Sequence, residues 1–167
     1  MLVFQINDRV IYGIHGACDI KAVEQQTSGG KTQEYLVLEP VNQTGARFLV
    51  PTHNAAAMAK LQKILTKEEL EQLLCSDSVH ELCWIQEENF RKQTYRELIG
   101  SGDRVRLMAM VHTLYQHKAQ QSAAGRKVHL CDDNFLRDAE KLLISEISVV
   151  MDMAADAAKH YIRSMLQ

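Results

Sequence analysis

The side chains able to do chemistry are few, and their spacing is poor for catalysis. His112 and His117 lie five apart, so on a helix they face different sides and miss the i, i+4 spacing of a metal-binding pair. The four cysteines, Cys18, Cys75, Cys83 and Cys131, form no CxxC pair, which argues against a zinc site and against a disulfide framework. Cys18 and Cys83 read as core fillers. Gly100-Ser101-Gly102 has the opening of a dinucleotide fingerprint, but Val105 stands where the third glycine belongs and the residues before it read as helix rather than strand. No serine sits in a Gly-x-Ser-x-Gly elbow. The adjacent acids Glu87-Glu88 and Asp132-Asp133 diverge on a helix and read as capping and solvating groups. The expectation is a protein without enzymatic activity, cofactor or metal.

Charge is the stronger signal. The chain of 167 residues has a net charge of −2, which alone predicts no affinity for nucleic acid. Its distribution is uneven. Residues 66–88 carry one basic and seven acidic groups, whereas residues 89–130 carry eight basic groups against Glu97 and Asp103, a local charge of +6. Arg91, Lys92, Arg96, Arg104, Arg106, Lys118, Arg126 and Lys127 could therefore present a positive face to phosphates, or simply solvate a helical surface. Arg91 and Arg96, five apart, cannot point the same way on a helix.

The elements that must position these groups fall into two halves. Residues 1–55 read as short strands divided by turns: Asp8–Tyr12, Cys18–Ala22, Gln33–Glu39 and Ala46–Val50, with Thr27–Lys31 (TSGGK) as a tight hairpin and Pro51 as a stop. They predict a small antiparallel barrel or curled sheet. Residues 56–167 read as a helical bundle. Its first helix spans Ala55–Ile64, and a second opens at the capping box Thr66/Glu69. A third opens at a box Ser78/Glu81 and runs through Trp84 to about Ile99, stopping at Gly100. A fourth starts at Asp103, and the last near Asp132 or Asp133. The segment Gln120–Leu130 reads as an exposed connection. The fold class is thus α+β. No apolar run approaches the roughly 18 residues of a membrane-spanning helix, and MLVFQINDRV lacks the features of a signal peptide, so a soluble, cytoplasmic protein is expected.

The order of these signals resembles the CarD-like (CarD/CdnL) family of bacterial transcription regulators. The resemblance rests on Phe4-x3-Asp8-x-Val10-Ile11-Tyr12-x2-His15-Gly16, on Tyr35-Leu36-Val37-Leu38, and on Val50-Pro51-x2-Asn54-Ala55. It continues through Ser101-Gly102-Asp103 and Ala139–Ile147. It implies an N-terminal Tudor-like or SH3-like barrel that pairs edge to edge with a strand of the RNA polymerase β subunit, and a helical domain that touches promoter DNA at the upstream edge of the transcription bubble. The family stabilises the open promoter complex, with a tryptophan wedged at the splayed minor groove. Carried over, the resemblance gives a polymerase contact at Gln26, Arg47 and Leu49, where Gln26 and Leu49 replace basic residues of some relatives. It gives a DNA contact, without strong sequence readout, at Trp84, Arg91, Lys92, Arg96, Arg104, Arg126 and Lys127. Two alternatives stand beside it: Trp84 packs between helices instead of reaching DNA, and the chain binds polymerase without touching DNA. Tyr12 and His15 read as a packing and hydrogen-bonding pair that fixes the barrel. Oligomeric state is not readable from the sequence.

Overall fold

A computed structural model describes residues 3–167, which divide into two compact units between Ile64 and Leu65. The first unit is a single antiparallel sheet. Its strands are β1 (Arg9–Tyr12), β2 (Ala17–Ser28), β3 (Lys31–Pro40), β4 (Phe48–Pro51) and β5 (Leu61–Lys63), in the order β4-β3-β2-β1-β5. The two end strands do not pair with each other, so the sheet is open and not a closed barrel. Val10, Cys18, Ile20, Leu36, Leu38, Val50, Leu61 and Phe4 form its core. The TSGGK loop is the expected hairpin: Ser28 faces Lys31, and Gly29 and Gly30 take φ of 58° and 77°, the positive values that a two-residue turn of this hand requires. Tyr12 and His15 pack as expected, stacking at 5.2 Å beside Phe48.

The expected helix Ala55–Ile64 is a single turn, α1 (Ala55–Met58), capped by Asn54 Oδ1, which accepts from Ala57 N at 3.0 Å. The chain then returns as β5 and pairs with β1, with Leu61 opposite Tyr12 and buried. The alanine run keeps its helical turn, and the residues after it, Leu61–Lys63, supply the backbone partners that β1 needs on its second edge. These residues therefore belong with the sheet unit, and the helical unit starts at Leu65 rather than at residue 56.

The second unit contains α2 (Lys67–Leu74), a 3-10 turn (Asp77–His80), α3 (Glu88–Ser101), α4 (Arg104–Ala123), α5 (Leu130–Val150) and α6 (Ala155–Leu166). Its own core gathers Leu70, Leu74, Val79, Tyr95, Leu98, Met108, Met110, Leu143, Ile147 and Ile162 with their neighbours. The Thr66/Glu69 capping box forms as read, with bonds of 3.2 and 2.8 Å. Gly102, at φ 70°, closes α3 two residues beyond the expected stop at Gly100, and Asp103 caps α4 through Arg106 N at 3.1 Å.

Three expectations fail. Residues 81–87 are irregular instead of helical, because side chains from later helices take their carbonyls: Thr113 Oγ1 donates to Leu82 O at 2.8 Å, and Arg91 Nη1 donates to Ile85 O at 2.8 Å. The helix begins only at Glu88, after Glu87 accepts from Asn89 N and Phe90 N. Helix α5 begins at Leu130, before Asp132, and α4 runs to Ala123, which shortens the exposed connection. A further helix, α6, buries Ala158, Ile162 and Leu166 at helical spacing. Among the described residues no helix is long and apolar enough to cross a membrane.

Candidate functional site

The centre of the helical unit's charged face is an ion pair. Arg91, on the inward stripe of α3 with Tyr95 and Leu98, is 3% exposed, and Asp132 in the first turn of α5 is fully buried. The guanidinium meets the carboxylate with two bonds, Nε to Oδ1 at 2.9 Å and Nη2 to Oδ2 at 3.1 Å. Its remaining donor group holds the carbonyls of Ile85 and Gln86. Arg91 is thus neither a free phosphate ligand nor a solvated surface charge, and Asp132 is not a solvating cap. A buried fork such as this fixes α3 against α5, and removing one partner would leave the other charged and unpaired.

Trp84 lies on this platform. Its ring stacks on His117 of α4, with centroids 3.5 Å apart and planes 7° from parallel, and the Arg91 guanidinium carbon sits over it at 4.4 Å. The indole is half-buried, on an irregular segment, with contacts to its π surface. Burial holds the His117 imidazole below the usual histidine range; Arg91 and His129 push the same way, and Asp132 opposes them.

Around this stack opens a groove of about 350 Å³, lined by Trp84, His117, Gln121, Arg126, Lys127 and His129 among others. Arg126 and Lys127 are exposed in the turn after α4, where Gly125 takes φ 68°. The other expected cations are dispersed. Lys92 pairs with Glu88 at 2.5 Å, Arg96 is exposed, and Arg104 is held by Glu146 at 2.7 and 2.8 Å. Lys118 pairs with Asp133 at 2.7 Å. One cluster of three basic groups, Arg126, Lys127 and His129, faces the groove.

In the sheet unit the strand register puts Gln26, Glu24, Tyr35, Val37 and Leu49 on the face opposite the core. Leu49 is 42% exposed on β4, an end strand. Arg47, just before β4, reaches Glu24 on that face at 2.8 Å. The three expected contact residues therefore share one face, with Arg47 and Leu49 beside the sheet end and Gln26 on the β2–β3 hairpin.

The CarD-like/TRCF RID domain family model matches residues 4–65, and the CarD C-terminal domain model matches residues 70–163. The chain belongs to the CarD-like family. Membership suggests an RNA polymerase-interacting transcription factor of a non-enzymatic kind. In this CarD-like chain, Asp132 and His117 hold Arg91 and Trp84, and the sequence reading missed both contacts. Asp132 looked like half of an acidic pair, and only the i, i+4, i+7 stripe Arg91, Tyr95 and Leu98 carried a hint that Arg91 points inward. Cys83, read as a core filler, is exposed, whereas Cys18 is buried.

Proposed function

We propose that this chain binds the RNA polymerase β subunit through its sheet unit and promoter DNA through its helical unit, stabilising the open complex at the upstream edge of the bubble. The observation that carries the DNA half is the groove in which Arg126, Lys127 and His129 flank the Trp84–His117 stack. Exposed cations beside an aromatic suit a phosphate backbone at a duplex junction, and contacts of this kind give affinity without base readout. Lys92 and Arg96 extend the contact along α3. Arg91 and Arg104 act indirectly, by holding α3 to α5 and α4 to α5. For the polymerase half, β4 offers an edge bonded on one side only among the described residues, so a strand of the partner can add to it. Gln26, Arg47 and Leu49 then meet the partner's side chains.

Calorimetry with the isolated β lobe tests the first half: one-to-one binding is expected, and it should weaken in the variant Arg47→Glu/Leu49→Glu. The DNA half is tested by open-complex lifetime with Arg126→Glu/Lys127→Glu, which should lose the stabilisation while polymerase binding persists.

A second reading, a polymerase-bound interaction module with no DNA contact, is favoured by Trp84 itself. Its π surface is already taken by His117 and Arg91, which makes an indole wedge costly. An unchanged lifetime in the double charge reversal supports that reading.

A further inference from the structure

A second pair of histidines lies outside the groove. His80 ends the 3-10 turn Asp77–His80, and His112 belongs to α4. His80 Nδ1 is 3.0 Å from His112 Nε2, with the rings edge-on at 88°. The other nitrogen of His112, Nδ1, is 2.6 Å from the carbonyl oxygen of Leu166 in α6. A carbonyl can only accept, so Nδ1 carries the proton, and in the neutral ring Nε2 is left with a lone pair. Metal-bound histidines are oriented in this way, one N–H tied to a carbonyl and the opposite nitrogen free to ligate. Two imidazole nitrogens bound to one ion at about 2.05 Å stand about 2.9 Å apart at the right angle of an octahedral or square-planar ion and about 3.3 Å apart at a tetrahedral one. The pair, at 3.0 Å, lies within that range, and the proton between the two nitrogens is what an ion would displace.

We propose that His80 and His112 form a two-imidazole site for a divalent late transition-metal ion, of the zinc, nickel or copper class. Imidazole favours these ions over magnesium or calcium. Among the described residues no third His, Cys, Asp or Glu joins the pair, so water completes the shell, and the exposed His80 gives the ion access. A bound ion would clamp the 3-10 turn to α4. The same turn leads into the irregular segment that carries Trp84, where Thr113 already holds Leu82 O. The ion is therefore a structural staple for that segment, independent of whether the groove meets DNA.

The test is calorimetric titration of the full chain with nickel chloride and zinc chloride at pH 7.5, with His80→Ala, His112→Gln and His160→Ala as variants. One equivalent is expected in the wild type and in His160→Ala, with affinity lower by about tenfold or more in the other two variants. Cobalt absorption distinguishes imidazole from thiolate, because Cys75 and Cys83 are exposed: a spectrum without a thiolate charge-transfer band is expected. As a check that does not depend on His112→Gln folding well, nickel should raise the melting temperature of the wild type and leave that of His80→Ala unmoved. Equal binding in all variants, a thiolate band, or no binding at a hundred micromolar ion overturns the proposal.

Discussion

Arg91 carries a formal charge on a segment of net charge +6, yet its role is decided by exposure. Breaking its buried fork with Asp132 strands a carboxylate in the core, so Arg91→Ala should cost about 3–5 kcal/mol in a denaturant titration. Arg96→Ala, on the exposed side of the same helix, should stay within about 0.5 kcal/mol. Charge reversal at Arg91 is for this reason a test of folding, and Arg126 and Lys127 are the positions that test DNA contact. His117 gives a pH dependence of defined sign. Its folded-state value is depressed, so as pH falls below the usual histidine range the unfolded chain takes up the proton first, and stability drops until the folded-state value is passed. The urea midpoint should fall between pH 7.5 and 5.5 by more in the wild type than in His117→Gln. None of this was readable from residue types: Arg91, Lys92 and Arg96 look alike in the sequence, and a partner 41 positions away separates the first from the others.

At the scale of elements, local chemistry was legible wherever a turn or a cap fixes the backbone by itself. The glycine pair of TSGGK, the Thr66/Glu69 box and Asp103 all act where they were read, and the stop of α3 falls at Gly102 instead of Gly100. Thr66→Ala should accordingly cost about 1 kcal/mol, measured by thermal or urea unfolding, since it frees the Glu69 amide. What escaped the sequence were segments whose form is set by distant partners. The expected helix Ala55–Ile64 gives up Leu61–Lys63 to the edge of β1, and residues 81–87 follow the apparent Ser78/Glu81 box but lend carbonyls to Arg91 and Thr113. The seven-residue stretch 81–87 matters most for the candidate site, because it turns Trp84 from a helical residue into one held by side chains of α3 and α4.

For the whole molecule, affinity for DNA has to arise from a local cluster on a chain of net charge −2, so it should be modest and salt-sensitive. Replacing both Arg126 and Lys127 by glutamine should lower the slope of log K against log salt by about 1.8 for duplex DNA, if each residue neutralises one phosphate. The division into two units, each with a core of its own, has an optical corollary. Trp84 is the sole tryptophan, and it lies in the helical unit. Indole emission is therefore blind to the sheet. A melting curve followed by fluorescence should track loss of the His117 stack, and one followed by circular dichroism in the far ultraviolet weighs both units. A substitution that weakens only the sheet core, such as Val10→Ala, should separate the two curves, and coincidence of the curves in that variant would mean that the two cores melt as one.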